Sequence, residues 1–471
     1  MQTQRDQVQA HLFVVGRLNA GILRADPDAP QTPLSRTGRG VVIGLVLAVL
    51  ATAAVAVYGL LKPASDRWRD GRSIVLVEET GARYLYLSRV LHPLLNYASA
   101  ALLLGVGETG TVPVENVPAD ALHGVPRGAA IGVPGAPDDI PAPAELPARA
   151  TWQVCGTGSG TRLAAGTGPT GPLIADTTGV VASAGGTRYL LWRGHRYVLP
   201  AGRAQLAALG YDPVPPRRVG AAFLAAVPPG PDLTAVGVRD RGAAGPRLAG
   251  AASRVGQLFT LAGGGHYLLR TDGLVPVTET MFDLLRADSA TVRGGYGGGA
   301  VQVRTIQPGE LARHRGNARH PLGTGLPSAP PEPVRSEPGQ AVCLVAAATA
   351  TGAPRYGLRL VDERALPRQR VYRQPNVTPA CHPADHVAGP PGGELVRALP
   401  ASGNAAGGAR YLVTAAGIRY RVDGAGLDAL GYARRAPIRL PQPILALLPS
   451  GPDLSPASLS TVDSPGARDC R

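Results

Sequence analysis

The sequence predicts an α+β fold, mostly β-rich, with an amphipathic N-terminal helix, one transmembrane helix and four small repeat modules. Three observations carry this. "GGTRYLLWRGHRYVLP" at 185–200 returns as "GGARYLVTAAGIRYRV" at 407–422. One uncharged apolar run is long enough to cross a bilayer. Glycine (62) and proline (46) are abundant while aromatics make up 4% of the chain, which suits small β-rich units on Pro-rich connections better than one large α/β core.

The leader comes first. "TQRD" at Thr3–Asp6 has the form of a capping box with Asp in place of Glu. Val8, Leu12, Val15, Leu18 and Ile22 then fall on one helical stripe, a surface that needs a partner subunit or a membrane to lie against. "DPDAPQTP" breaks the helix. From Gly40 to Leu61 no residue is charged; at ~1.5 Å per residue this makes a helix of about 33 Å, enough for a bilayer core. A cleaved signal peptide is the competing reading, but its apolar region is shorter and its leader briefer. Arginines flank both ends, so the positive-inside rule barely decides orientation. All four cysteines, Cys155, Cys343, Cys381 and Cys470, follow the span, which fits an oxidising exterior; four buried free thiols is the alternative.

The repeats follow. In both long copies the Tyr of "LGY" (Tyr211, Tyr432) stands 19 residues before the Gly of "GPDL" (Gly230, Gly451). Shorter copies begin at Gly81 ("GARYLYL") and Gly264 ("GGHYLLR"), so the shared core is Gly-x-Arg/His-Tyr-Leu with Tyr84, Tyr189, Tyr267 and Tyr411. An apolar run precedes each core and a Leu/Ala-rich run follows. The pattern predicts strand, Gly turn, strand, second turn, short helix. "PGPDL" reads as turn chemistry closing a repeat.

The charge is +14, but every basic residue except Lys62 is arginine, as a GC-rich coding genome produces. Before residue 62 stand five arginines and three aspartates, leaving +12 spread over the rest without a stripe of stacking aromatics. That excludes a nucleic-acid reading and fits a solvated basic surface near anionic wall polymer or lipid.

Catalytic motifs are missing. A Walker A loop needs a lysine, and Lys62 lies beside the span. "GVGETG" at 105–110 is followed by no helix for a phosphate, and "GTGSGTR" at 156–162 is Gly-rich with an Arg, though a mobile loop beside Cys155 explains it equally well. G-x-S-x-G and H-E-x-x-H do not occur. "CHPADH", Cys381 to His386, is the best metal candidate, but such clusters arise by chance in Pro-rich loops. Asp138 and Asp139 could be read as an acid/base pair, but one of them shaping a turn after "GAP" is the stronger reading. The expectation is no catalytic residue, no nucleotide site and no metal.

In order, the leader "RDQVQAHLFVVGRLNAGILRADP", the single span, "PRGAAIGVPGAPDDIP" at 126–141, "TWQVC", "AVCLV" and the repeats resemble EccB, the single-pass membrane component of the actinobacterial type VII (ESX) secretion apparatus. The resemblance implies a cytoplasmic N-terminus and an elongated outer region in which four repeats, similar to a phage-lysin wall-binding module, surround a central β domain. It places a disulfide between Cys155 and Cys343; Cys381 and Cys470 would form a second bridge outside the family pattern. The implied division is leader 1–39, membrane helix 40–61, first repeat 70–112, first central segment 113–172, second repeat 173–235, third repeat 249–300, second central segment with Pro-rich linker 301–394, fourth repeat 395–456 and tail 457–471. Implied partners are EccC, EccD and EccE subunits, a mycosin protease, the bilayer and further copies of the chain. A structural subunit is the leading reading. An ATP hydrolase, after a label that family members carry, and a peptidoglycan-binding anchor are the alternatives; ATP as a ligand rests on that label alone.

Overall fold

The computed structural model describes residues 4–24, 33–61, 66–106, 110–166, 168–335, 337–370, 373–400 and 408–459. Thr3 and most of the break at 26–33 lie outside these. Two long helices come first, Gln4–Arg24 and Pro33–Leu61. The second holds the one candidate membrane span among the described residues, Gly38–Val57, none of it buried. This helix starts earlier than the uncharged run because Pro33 suits a first helical turn, where no N–H is needed.

Among the described residues the β structure lies in five sheets, four of which share one strand order. In the first, Ile74–Val77, Arg83–Leu87 and Val90–Pro93 form an antiparallel meander; helix Tyr97–Leu104 then crosses over, and Val114–Val117 returns parallel beside Ile74–Val77. The second is built alike from Thr178–Ala184, Thr187–Trp192, His195–Val198, helix Arg203–Ala208 and Arg217–Arg218. The third uses Leu258–Leu261, His266–Arg270, Gly273–Val277, helix Glu279–Ala287 and Arg304–Ile306. The fourth uses Glu394–Leu399, Arg410–Val413, Arg419–Val422, helix Gly424–Ala429 and Ile438–Pro441. The Gly-x-Arg/His-Tyr-Leu core forms the second strand each time.

Two strands per unit were absent from the pattern expected from sequence. The third follows a tight turn and spans only four or five residues, so it merges with its hairpin partner. The fourth is as short as Arg217–Arg218 and is held by a parallel crossover, which leaves no local signature.

"GPDL" corrects a second expectation. Neither Gly230 nor Gly451 has a positive φ, and neither stretch closes a turn. Each runs extended along the third strand of its sheet: Gly230 N–H donates to the Arg196 carbonyl at 2.8 Å and Gly451 N–H to the Arg419 carbonyl at 2.9 Å. The backbone covers what would be a free sheet edge. Glycine is required because the rings of Tyr197 and Tyr420 lie where a Cβ would stand. Gly230→Ala and Gly451→Ala are each expected to destabilise their sheet by about 1–3 kcal/mol through overpacking, read as a lower melting temperature and faster hydrogen exchange in strands 195–198 or 419–422.

The fifth sheet is central. Its order is Arg355–Asp362, Gln340–Thr349, Arg149–Thr157, Gly160–Ala165 and His386–Ala388. Two hairpins thus meet through their inner strands, 149–157 and 340–349, which pair antiparallel. One core joins this sheet to the second and fourth, through Trp152, Val154 and Leu344, Phe223 and Leu224, and Ile444 and Leu445. Another joins the first sheet to the fourth, with Leu85 and Leu102 beside Leu412 and Leu430. The third sheet packs its helix on that of the second, Leu284 among Leu206, Leu209 and Tyr211. The order of packing is therefore first, fourth, central, second, third.

Candidate functional site at the central sheet

Residues 155 and 343 face each other in the register of the two inner strands. Cys155 and Cys343 are bonded, with an S–S distance of 2.05 Å and Cα atoms 3.9 Å apart. The bond lies in a small apolar cluster with Ala341, Val361 and Leu366. Cys381 is also disulfide-bonded, and the remaining cysteine, Cys470, lies outside the described residues.

Around this bond the flanking sheets are tied by buried polar groups. Tyr211 and Tyr432, the "LGY" tyrosines, are fully buried and donate their hydroxyls to the carbonyls of Pro331 (2.8 Å) and Pro141 (2.6 Å). Each thereby binds the chain on its way into an inner central strand, so the second and fourth sheets clamp it in the same manner. Burial pushes both phenols far above their usual range, and they stay neutral donors. Trp152 on strand 149–157 donates its indole N–H to the Glu394 carboxylate at 2.9 Å. Glu394 opens the first strand of the fourth sheet and is 2% exposed. Burial raises its pKa to about 7, against the lowering effect of the Trp152 hydrogen bond.

The candidate chemical groups are occupied in structure. Asp385 of "CHPADH" accepts the Thr161 N–H at 2.7 Å, and Cys381 is in a disulfide. His386 is held below its usual pKa by burial, then by Arg162 and Arg370. No group of three or more metal-ligating side chains occurs among the described residues. "GTGSGTR" is a hairpin turn: Gly156 stands opposite Thr161 and Thr157 opposite Gly160, and the amide of Thr161 is spent on Asp385. Within "GVGETG", residues 107–109 lie outside the described residues. Asp138 stands in the bend after "GAP", accepts the Tyr97 N–H at the start of the first sheet's helix (2.9 Å) and pairs with Arg83 at 2.8 Å. The start of the "RGAAIGVPGAPD" segment lies along that sheet, with Gly128 N–H on the Leu91 carbonyl and Ile131 N–H on that of Pro93.

On the leader helix Val8, Leu12, Val15, Leu18 and Ile22 are exposed to varying degrees, from 39% at Val15 to 77% at Ile22. Phe13 and Val14 are exposed as well, so the apolar surface is wider than the stripe read from sequence. Counting every apolar residue in "HLFVV" would have found it.

Residues 1–464 match the family described as type VII secretion system ESX-1, transport TM domain B. The chain belongs to this EccB family. Among its curated relatives is the ESX-3 secretion system ATPase EccB3 of Mycolicibacterium smegmatis, 28% identical, with 96% of this chain and 89% of the relative covered. The ESX-5 secretion system ATPase EccB5 of Mycobacterium tuberculosis is 27% identical, with 96% and 92% covered. Among solved structures, a chain of the periplasmic assembly from the ESX-5 inner membrane complex is similar at a TM-score of 0.64 and 25% identity, covering 86% of this chain and 99% of that one. The EccB3 dimer from the ESX-3 core complex has a like fold, TM-score 0.64 at 23% identity, covering 82% and 99%. In the EccB family setting the groups described above are architectural: buried tyrosines, a buried carboxyl and a disulfide that hold sheets together.

Proposed function

We propose that this chain is a structural and interaction subunit of an inner-membrane type VII secretion complex. It is held by one membrane helix, with its leader in the cytoplasm and its sheets outside. The likeness to the ESX-5 periplasmic assembly over 99% of that chain carries this reading. The disulfides support the placement of the sheets in an oxidising space. We further read the four sheets of common order as copies of one module around the central sheet, in the division 70–112, 173–235, 249–300 and 395–456. A second copy of the chain, EccC, EccD and EccE subunits, and a mycosin protease are the proposed neighbours. Peptidoglycan is a further candidate ligand, its support being the resemblance of the modules alone. The ATPase in the relatives' names draws no support from "GTGSGTR", which is folded as a hairpin with its Thr161 amide on Asp385.

The exposed leader face is the proposed docking surface for cytoplasmic regions of EccC and EccD. Leu12→Asp with Val15→Asp is expected to abolish recovery of the complex on a native gel while the Cys155–Cys343 bond and the melt of the sheets stay unchanged. Full recovery of the complex would overturn the docking.

A further inference from the structure

We infer that the near end of the first sheet is an arginine platform that docks on anionic phospholipid headgroups. This rests on the placement of the sheet proposed above, and begins with a tether. Helix Pro33–Leu61 and the short helix Asp66–Asp70 are five peptide steps apart. Fully extended these span about 18 Å. With the uncharged run filling the ~30 Å core, the headgroup layer takes up about 5–8 Å of that reach. What remains is close to the screening length of about 8–10 Å at physiological salt. The near end of the sheet is therefore held within about 10–13 Å of the headgroup layer, little more than one screening length.

The tether is attached firmly. Trp68, in the middle of Asp66–Asp70, is fully buried among Val75, Leu91 and Val117 and meets Tyr86 edge-on at 5.1 Å. Gly71, at φ 73°, brings the backbone against the Tyr86 carbonyl so closely that a Cβ would stand 2.7 Å away. The arriving chain is thus pressed beside the turn Ser88–Arg89. Ile74, where the first strand starts, pairs with Leu85, so that strand leads away from this end. Arg67, Arg69, Arg72 and Arg89 gather here, all exposed.

Their charge is only partly answered. Asp66 pairs with Arg69 at 3.1 Å and Asp70 accepts the Arg72 backbone N–H at 2.8 Å, so these two carboxylates stand among four arginines. Arg89 also sits at φ 67°, and Ser88 at 49°. The matching turn of the second sheet, Arg193–Gly194, puts glycine at its second position, with φ 73°. An arginine in the left-handed region strains the backbone, and here it places a cation at the tip facing the membrane.

The test uses the full chain in vesicles of phosphatidylcholine, alone or with 30% phosphatidylglycerol. No described cysteine has a free thiol, so Ser88→Cys gives a labelling site for energy transfer to a headgroup dye. Transfer is expected to rise with phosphatidylglycerol and to fall back in 0.5 M salt. A label at Thr80→Cys, at the far end of the sheet, is expected to read a longer distance. Each arginine removed lowers the ratio of docked to free roughly fivefold, so Arg67→Gln, Arg72→Gln and Arg89→Gln together reduce it about a hundredfold. Arg203→Gln, Arg247→Gln and Arg293→Gln, equal in charge but remote, are expected to leave it unchanged. Arg89→Gly alone weakens docking without lowering the melting temperature, since the strain is relieved. Transfer indifferent to phosphatidylglycerol, equal transfer from both ends, retention in the triple variant, or equal loss in the remote one would each overturn the proposal.

Discussion

Cys155→Ser or Cys343→Ser is expected to lower the melting temperature of the central sheet by several degrees, and by the same amount in either variant. The bond closes a loop of 188 residues. In the chain-entropy model such a closure stabilises by about 5 kcal/mol, because it removes conformations from the unfolded chain. The folded state shows why this matters here. The second and third sheets are inserted between strands 149–157 and 340–349, so without the bond the pairing of those strands must be reached across the whole insertion. The register of eight facing pairs, Arg149 to Gly156 against Val342 to Thr349, survives in principle, so the variants are expected to fold and melt earlier. The double variant should be no less stable than either single, since one bond is lost only once. Additive loss would mean that each cysteine acts through packing in its apolar cluster, and the tether would be abandoned. Peptide mapping without reductant gives the direct check: Cys155 with Cys343, and Cys381 with Cys470.

How much of this was legible depended on whether the information was local. The apolar run and the Gly-x-Arg/His-Tyr-Leu core are contiguous, and they mark the first two strands of each unit. Residues 40–61 announce a membrane helix by charge alone. The LGY tyrosines were visible as a repeated landmark, but not their use, because their acceptors at Pro331 and Pro141 are 120 and 291 residues away. The order of the sheets was hidden for the same reason: Leu85 and Leu412 share a core without any local pattern linking them. "PGPDL" misled because proline and glycine usually mark turns, whereas here glycine makes room for a tyrosine ring. Arg89 shows the reverse, a tight turn built without glycine.

Glu394, by contrast, could have been read from its strand. In "ELVRALP" it shares strand parity with Val396 and Ala398, and both of these join the central core. A carboxyl on that side had to be buried, and burial gives it a measurable signature. Its folded pKa is about 7, above the 4.5 of an ordinary glutamate. The folded state therefore binds the proton more tightly than the unfolded one. Below about pH 4.5 both states are protonated and the protein keeps the whole benefit. As pH rises toward and through 7 that benefit is lost, because the buried group must ionise against desolvation; the shift amounts to about 3 kcal/mol. The wild-type melting temperature minus that of Glu394→Gln is thus expected to decline steadily from pH 5 to pH 8, and glutamine, which keeps an acceptor for the Trp152 indole, melts higher at pH 8. The subtraction cancels His386 and the other titrating groups common to both. Trp152→Phe supplies the opposite arm. Without the indole N–H the carboxylate loses its one named stabilising contact, and the midpoint of the pH dependence moves upward. A difference curve flat from pH 5 to 8 would show that Glu394 titrates normally, and that the carboxyl is reached by water in solution.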